Sequence, residues 1–162
     1  MKLKCIQDCV KIMVEDWQNT LCRPYYHPRY HYAFAIKKNK IIAIGKNQPE
    51  YPHPKVLNLA RTFNIDKWHH YPYLHAESDL ITKLPDNIRP KQIEILSLRI
   101  NAKGNFRMAK PCKNCQKMLD SLGVQKIIWS ANEPQDMTQQ LILQKQTKIN
   151  LSPEQFVLPS IL

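Results

Sequence analysis

What most limits the fold of this chain is the order in which helical and strand-like hydrophobic patterns follow one another along it. Leu3, Ile6, Val10, Met13, Val14 and Trp17 recur at intervals of three and four, which predicts an amphipathic helix over residues 2–18. Between Tyr30 and Ile44 the pattern turns apolar and β-rich, Tyr32–Ile36 and Ile41–Ile44 flanking Lys37-Lys38-Asn39-Lys40, so a hairpin is expected, with Gly45 stopping its second strand. Residues 46–73 carry four prolines and read mainly as loop, with a short helix over Lys55–Arg61. A helix over Leu74–Leu84 closed by Pro85, a strand over Ile93–Ile100 and a turn at Asn101–Gly104 follow. Pro111 opens a further helix that runs through Leu122 and ends at Gly123, and Lys126–Ser130 reads as a strand. Helix, hairpin, helix, strand, helix, strand is the order of a three-layer α/β/α domain, with a central mixed sheet of about five strands covered on both faces. From Asn132 onward the pattern is ambiguous, Leu141-Ile142-Leu143 fitting a last strand or a short helix.

At 162 residues the chain suits one domain over residues 1–162, large enough to bury roughly two thirds of its unfolded surface. No apolar run approaches the ~20 residues that span a bilayer, so no membrane partner is expected. The first residues, Met1 to Asp8, mix charges and amides where a secretory signal needs unbroken apolar sequence, which predicts a cytoplasmic protein with reduced thiols. In that setting an odd number of cysteines, five, argues for metal ligation or buried thiols over a disulfide framework. Cys5 and Cys9 share one helix face and read as core, and Cys22 has no close partner in sequence. The net charge of +11 favours anionic partners, nucleotides or polynucleotide phosphates, and serves equally as a solvated surface.

Two of the expected helices begin with metal-ligand residues: His75-Ala76-Glu77 opens one and Pro111-Cys112-Lys113-Asn114-Cys115 the other. One imidazole and two thiolates supply three of the four positions of a tetrahedral zinc site, the open arrangement of catalytic zinc and not the closed one of structural zinc. Thiolates at a helix start are stabilised by the unsatisfied N–H groups there. Two thiolates also cancel the +2 charge of zinc, leaving a modest Lewis acid, so water activation needs a nearby base. Glu77, two residues from the histidine, is placed for that proton transfer.

The two motifs together, in this order, resemble the signature of the cytidine/deoxycytidylate deaminase superfamily, over roughly residues 30–131. The resemblance implies a cytidine-deaminase-like fold, one catalytic Zn2+ on His75, Cys112 and Cys115, and Glu77 as proton shuttle. It also implies hydrolytic deamination of a cytosine nucleoside or nucleotide, deoxycytidylate first among them, in a protein that frequently assembles as a homo-oligomer. Among substrate contacts it implies Ala76, inside the first motif, and Asn47, because Gly45-Lys46-Asn47 is similar to the strand end whose asparagine contacts the sugar in that family; the alternative for Asn47 is a plain turn residue. His53, in Tyr51-Pro52-His53-Pro54-Lys55, is placed to wall the pocket or grip a phosphate, or stands on a surface turn.

Two segments depart from the family pattern. The approach to the cysteines, Arg99 to Lys110, is longer and more basic, so Arg107 and Lys110 are candidates for a substrate phosphate, with a solvated hairpin as the alternative. Ser78-Asp79 follows the glutamate where deoxycytidylate deaminases more often carry asparagine at the second position. Trp68, Tyr71, Tyr73 and Phe106 suit stacking on a base or a place in the core. Two other functions fit parts of the same sequence: a deaminase of single-stranded RNA or DNA, supported by charge and loop aromatics, and a non-enzymatic zinc-stabilised nucleic-acid-binding module. The latter needs a fourth ligand, for which Cys22, His69 and His70 are the nearby residues.

Overall fold

The computed structural model describes residues 1–21, 30–48, 54–65, 73–132 and 141–144. Six strands and four helices alternate through them. The helices are α1 (Leu3–Leu21), α2 (Pro54–Thr62), α3 (Ala76–Thr82) and α4 (Lys113–Ser121). The strands are β1 (His31–Lys37), β2 (Lys40–Lys46), β3 (Glu94–Ile100), β4 (Phe106–Arg107), β5 (Lys126–Ser130) and β6 (Leu141–Gln144). One mixed sheet runs β2-β1-β3-β5-β6, with the short β4 added to β3. Only the β3–β5 pair is parallel, joined by the crossover through α4.

Two cores, one on each face of the sheet, make the layering. Every position from Tyr32 to Ile36 of β1 is buried, and its alternate side chains serve opposite faces. Tyr32, Phe34 and Ile36 join Leu96, Leu98 and Ile128 beneath α1, which contributes Cys5, Ile6, Cys9, Val10 and Met13. Ala33 and Ala35 join Ile95, Ile127 and Trp129 on the other face, under Val56 of α2, Leu80 of α3 and Met118 and Leu119 of α4. The expected α/β fold with a sheet covered on both faces is therefore present, and Cys5 and Cys9 are core thiols as the helical spacing predicts. Burial in this apolar layer pushes the Cys9 thiol well above its usual range. Among the described residues no helix is long and apolar enough to cross a membrane.

Several boundaries shift, each for a local reason. The β1–β2 connection is a tight turn on Lys38 and Asn39, both at positive φ, 51° and 60°. Gly45 does not stop β2; it lies inside the strand, paired with Ala33. Its role is proximity, since a Cβ there would stand 2.1 Å from the Ala76 carbonyl oxygen and 2.3 Å from the Leu80 amide nitrogen. α3 lies directly against the β2 backbone at that point. The expected helix over Leu74–Leu84 is shorter, and the one expected to open at Pro111 and run through Leu122 starts two residues late, with Pro111 and Cys112 outside it, and ends at Ser121. Gly123, at φ 74°, follows the last turn of α4 as its type predicts. Leu141–Gln144 is a strand, antiparallel to β5.

Candidate metal centre

α3 and α4 are set out in the same way. Each is preceded by a residue in extended conformation at its N-cap, His75 at φ −70°, ψ 158° and Cys112 at φ −67°, ψ 166°. Serine, threonine, aspartate or asparagine at such a position would turn its side chain back onto the helix amides. Neither His75 nor Cys112 makes a side-chain capping bond. The two side chains face each other: His75 Nδ1 lies 3.5 Å from Cys112 Sγ and 3.5 Å from Cys115 Sγ. All three donor atoms fall within 4.8 Å of one another, close enough to share one metal ion. No other histidine, cysteine or carboxylate among the described residues joins this group. Cys22, His53, His69 and His70 lie outside the described residues, as do Trp68 and Tyr71.

The donor set fits a soft divalent cation by its charge. Cys112 is exposed and Cys115 fully buried. The hydrogen bond from Cys115, together with His75, holds the Cys112 thiol down to about 4. The same bond and burial push the Cys115 thiol well up. Two sulfurs this close resist ionising together. A divalent ion held between them would offset that repulsion and favour both thiolates. Ser78 Oγ, 3.6 Å from Cys115 Sγ, adds a hydroxyl to the buried sulfur.

Glu77, in the first turn of α3, is only 1% exposed. Its Oε1 accepts a hydrogen bond from Ser97 Oγ at 3.0 Å and stands 3.4 Å from His31 Nε2. His31 Nε2 and Ser97 Oγ are themselves 2.8 Å apart, so serine and imidazole converge on one carboxylate oxygen. The other oxygen, Oε2, is buried with no hydrogen-bond partner among the described residues. An orphaned buried polar atom costs roughly 1–3 kcal/mol; Trp17 Nε1 and Glu94 Oε2 likewise lack a hydrogen bond among the described residues, and Glu77 Oε2 differs from them in lying two residues from His75 in the chain. Burial alone would raise the Glu77 carboxyl; the charge and hydrogen bond of His31 outweigh it and bring the value to about 2. The group is poised as a carboxylate with one oxygen held and one unclaimed.

β2 and α3 are tied together by reciprocal bonds. Asn47 Oδ1 accepts the Ala76 N–H at 2.8 Å, and the Asn47 N–H reaches the His31 carbonyl at 3.1 Å. In return the Asp79 carboxylate, 2% exposed, accepts the Lys46 N–H at 2.9 Å and the Lys83 ammonium at 2.5 Å. Asp79, the departure from the family pattern, is thus a structural tie. Asn47 and Ala76, both expected near a substrate, are bonded to each other beside the cluster. Arg107 lies in β4 opposite Arg99. Lys110 Nζ stands 5.8 Å from the centre of the Trp129 ring. Phe106, half-buried, packs against the α1-side core.

His31 and Ser97 escaped the sequence reading, yet a signal for them exists. Ser97 occupies an inward position of β3, flanked by Leu96 and Leu98, and it is completely buried. A buried hydroxyl in such a run needs a partner, and its partners are the two polar groups it holds. No protein-family model matches the sequence, and neither the curated proteins nor the solved structures yield a significant match.

Proposed function

We propose that the chain is a zinc-dependent hydrolytic deaminase of a cytosine nucleoside or nucleotide, of the deoxycytidylate-deaminase type. The observation that carries the reading is the pairing of a three-donor cluster with a buried carboxylate that is not one of the donors and keeps one oxygen unbonded. A structural metal site has no use for such a carboxylate, whereas hydrolysis needs a base that does not compete for the metal. His75, Cys112 and Cys115 would hold the ion, which supplies Lewis acidity to the hydrolytic water. Glu77 accepts a proton from that water and passes it to the ring nitrogen as the water oxygen bonds to the amidine carbon. It carries the second proton to the departing amine, so that one water is consumed, a carbonyl replaces the amino group and ammonia leaves. Ser97 and His31 fix Oε1 throughout, leaving Oε2 to exchange protons. The net charge of +11 supports a second substrate class, cytosine or adenine in a single strand, for the same chemistry.

The test is Glu77→Gln in zinc-loaded protein, assayed for ammonia release and for the mass change of about one unit that accompanies amine-to-carbonyl exchange across nucleosides, nucleotides and short single strands. Loss of turnover by about 10²-fold or more with metal content and melting behaviour retained supports the reading. Wild-type protein that carries zinc and releases ammonia from none of these substrates refutes it.

A further inference from the structure

Resting on the deaminase reading, we infer that Arg99 and Arg107 form a subsite for a phosphate group of the substrate, in a cavity at the β3–β4 edge of the sheet. The registers of β1, β3 and β4 line up His31, Arg99 and Arg107 as one cross-strand row. Directly paired residues of antiparallel strands project from the same face. That is the face of Ser97, which is bonded to Glu77 and lies two residues before Arg99, roughly 7 Å along the strand from it. Two arginines directly opposite each other repel, and without an anion the arrangement costs stability. The structure nonetheless pins both strands: Ser130 Oγ accepts the Arg99 N–H at 3.1 Å and donates to the Arg107 carbonyl at 2.7 Å.

The cavity has a volume of about 220 Å³, and the described residues that line it, Arg99, Ile100, Asn101, Arg107, Met108 and Asn132, include no carboxylate. It is smaller than the roughly 300–1,000 Å³ of whole-ligand sites, a size for one substituent of a ligand. The two asparagines add donors and not acceptors to it. Asn132 Oδ1 accepts the Met108 N–H, and Asn101 Oδ1 accepts the N–H groups of Lys103 and Asn105, so the NH2 of each amide is the group that remains to donate. Over residues 99–110 the sequence holds Arg99, Lys103, Arg107 and Lys110 and no acid. Planar guanidinium forks bind phosphate oxygens bidentately, and the anion that accompanies a nucleobase is a phosphate.

The experiment measures equilibrium binding of deoxyuridine and deoxyuridine 5′-monophosphate, product-like probes that need no turnover, to zinc-loaded wild type, Arg99→Ala, Arg107→Ala and Asn132→Asp. The last keeps the oxygen that accepts the Met108 N–H and replaces only the NH2, so it tests the cavity where an arginine variant fails to fold. Wild type is expected to prefer the monophosphate by about 10-fold or more, and each variant to collapse that preference toward one. A wild type without preference, or a preference that survives all three substitutions, overturns the subsite. A short deoxyuridine-containing single strand in the same series names the source of the phosphate: tighter binding than the monophosphate, lost in the same variants, assigns it to a polynucleotide backbone, and weaker binding to a free nucleotide. The outcome separates from that of the deaminase reading. A phosphate preference that responds to the variants in a protein releasing no ammonia upholds the subsite alone; ammonia release with no such preference removes the subsite alone.

Discussion

Replacing Gly45 by alanine gives the sharpest test of how the centre is built. The new Cβ would meet the Ala76 carbonyl at 2.1 Å and the Leu80 nitrogen and Cα at 2.3 and 2.7 Å, where ordinary contacts begin near 3.4 Å. All three atoms belong to the α3 backbone, so no side chain can swing aside. The helix must retreat by roughly an ångström, and overpacking against a rigid element costs up to about 3 kcal/mol. For a chain of this length that is a fall in melting temperature of about 6–12 °C. Because Ala76 follows the ligand His75 and precedes Glu77, the same retreat widens the gap to Cys112 and Cys115, so zinc stoichiometry and affinity fall with stability. Thermal melts of zinc-loaded and metal-free protein, with metal analysis after dialysis, read both effects. Gly123→Ala is the comparison: its Cβ meets only Lys91 Cβ at 3.6 Å, and the cost is the left-handed φ of 74°, about 1 kcal/mol, with metal content unchanged. If Gly45→Ala melts within about 2 °C of wild type and keeps its zinc, α3 does not lie against β2 as described and the placement of Glu77 falls with it.

Metal removal by a chelator should lower the melting temperature by about 5–11 °C relative to protein with free zinc at a hundredfold its dissociation constant, while far-ultraviolet circular dichroism persists, since both hydrophobic cores form without the ion; no change in melting would show that the three donors do not bind it. Asp79→Ala strands the Lys46 N–H and should cost about 2–3 kcal/mol in denaturant titration, whereas Asp79→Asn, which keeps an acceptor, should cost less than half as much; equal costs would deny the carboxylate its tie to β2. In metal-free protein the depressed Glu77 carboxyl contributes stability that is present above its unfolded value of 4.5 and is lost as pH falls toward about 2. An acid titration of His31→Asn should lack most of that slope, and an unchanged profile would show that His31 does not hold the carboxylate.

The fold was legible because each layer writes its own period. α1 shows one apolar stripe, β1 and β3 show strand composition, and Gly123 marks the end of α4 by its backbone preference alone. That His75, Cys112 and Cys115 come together was legible for a different reason: a histidine and a Cys-x-x-Cys pair at two helix starts are unusual enough that two short motifs suffice. What stayed hidden depends on three-dimensional proximity. Gly45 looks like a strand terminator in sequence, and only the approach of α3 shows that it is kept small for packing. Asp79 looks like a surface helix residue and is buried against the Lys46 N–H of β2. Ser97 and His31 are far apart in sequence, 66 positions, and meet through the register of β1 on β3. β4, two residues long, lies below the length at which alternation can be seen, so the Arg99–Arg107 pair emerges only from its pairing.

The reciprocal bonding of β2 and α3 has a consequence for how an ion would be captured. A strand side chain holds a helix amide and a helix side chain holds a strand amide, so neither element can slide or rotate without breaking both clasps. His75 and Glu77 thereby stand on one stretch of backbone that Asn47 and Asp79 already hold in place. Cys112, at the N-cap of α4, and Cys115, in its first turn, come from a separate element. An ion held by all three would join two supports that are ordered without it, so little of its binding energy would go into ordering the chain.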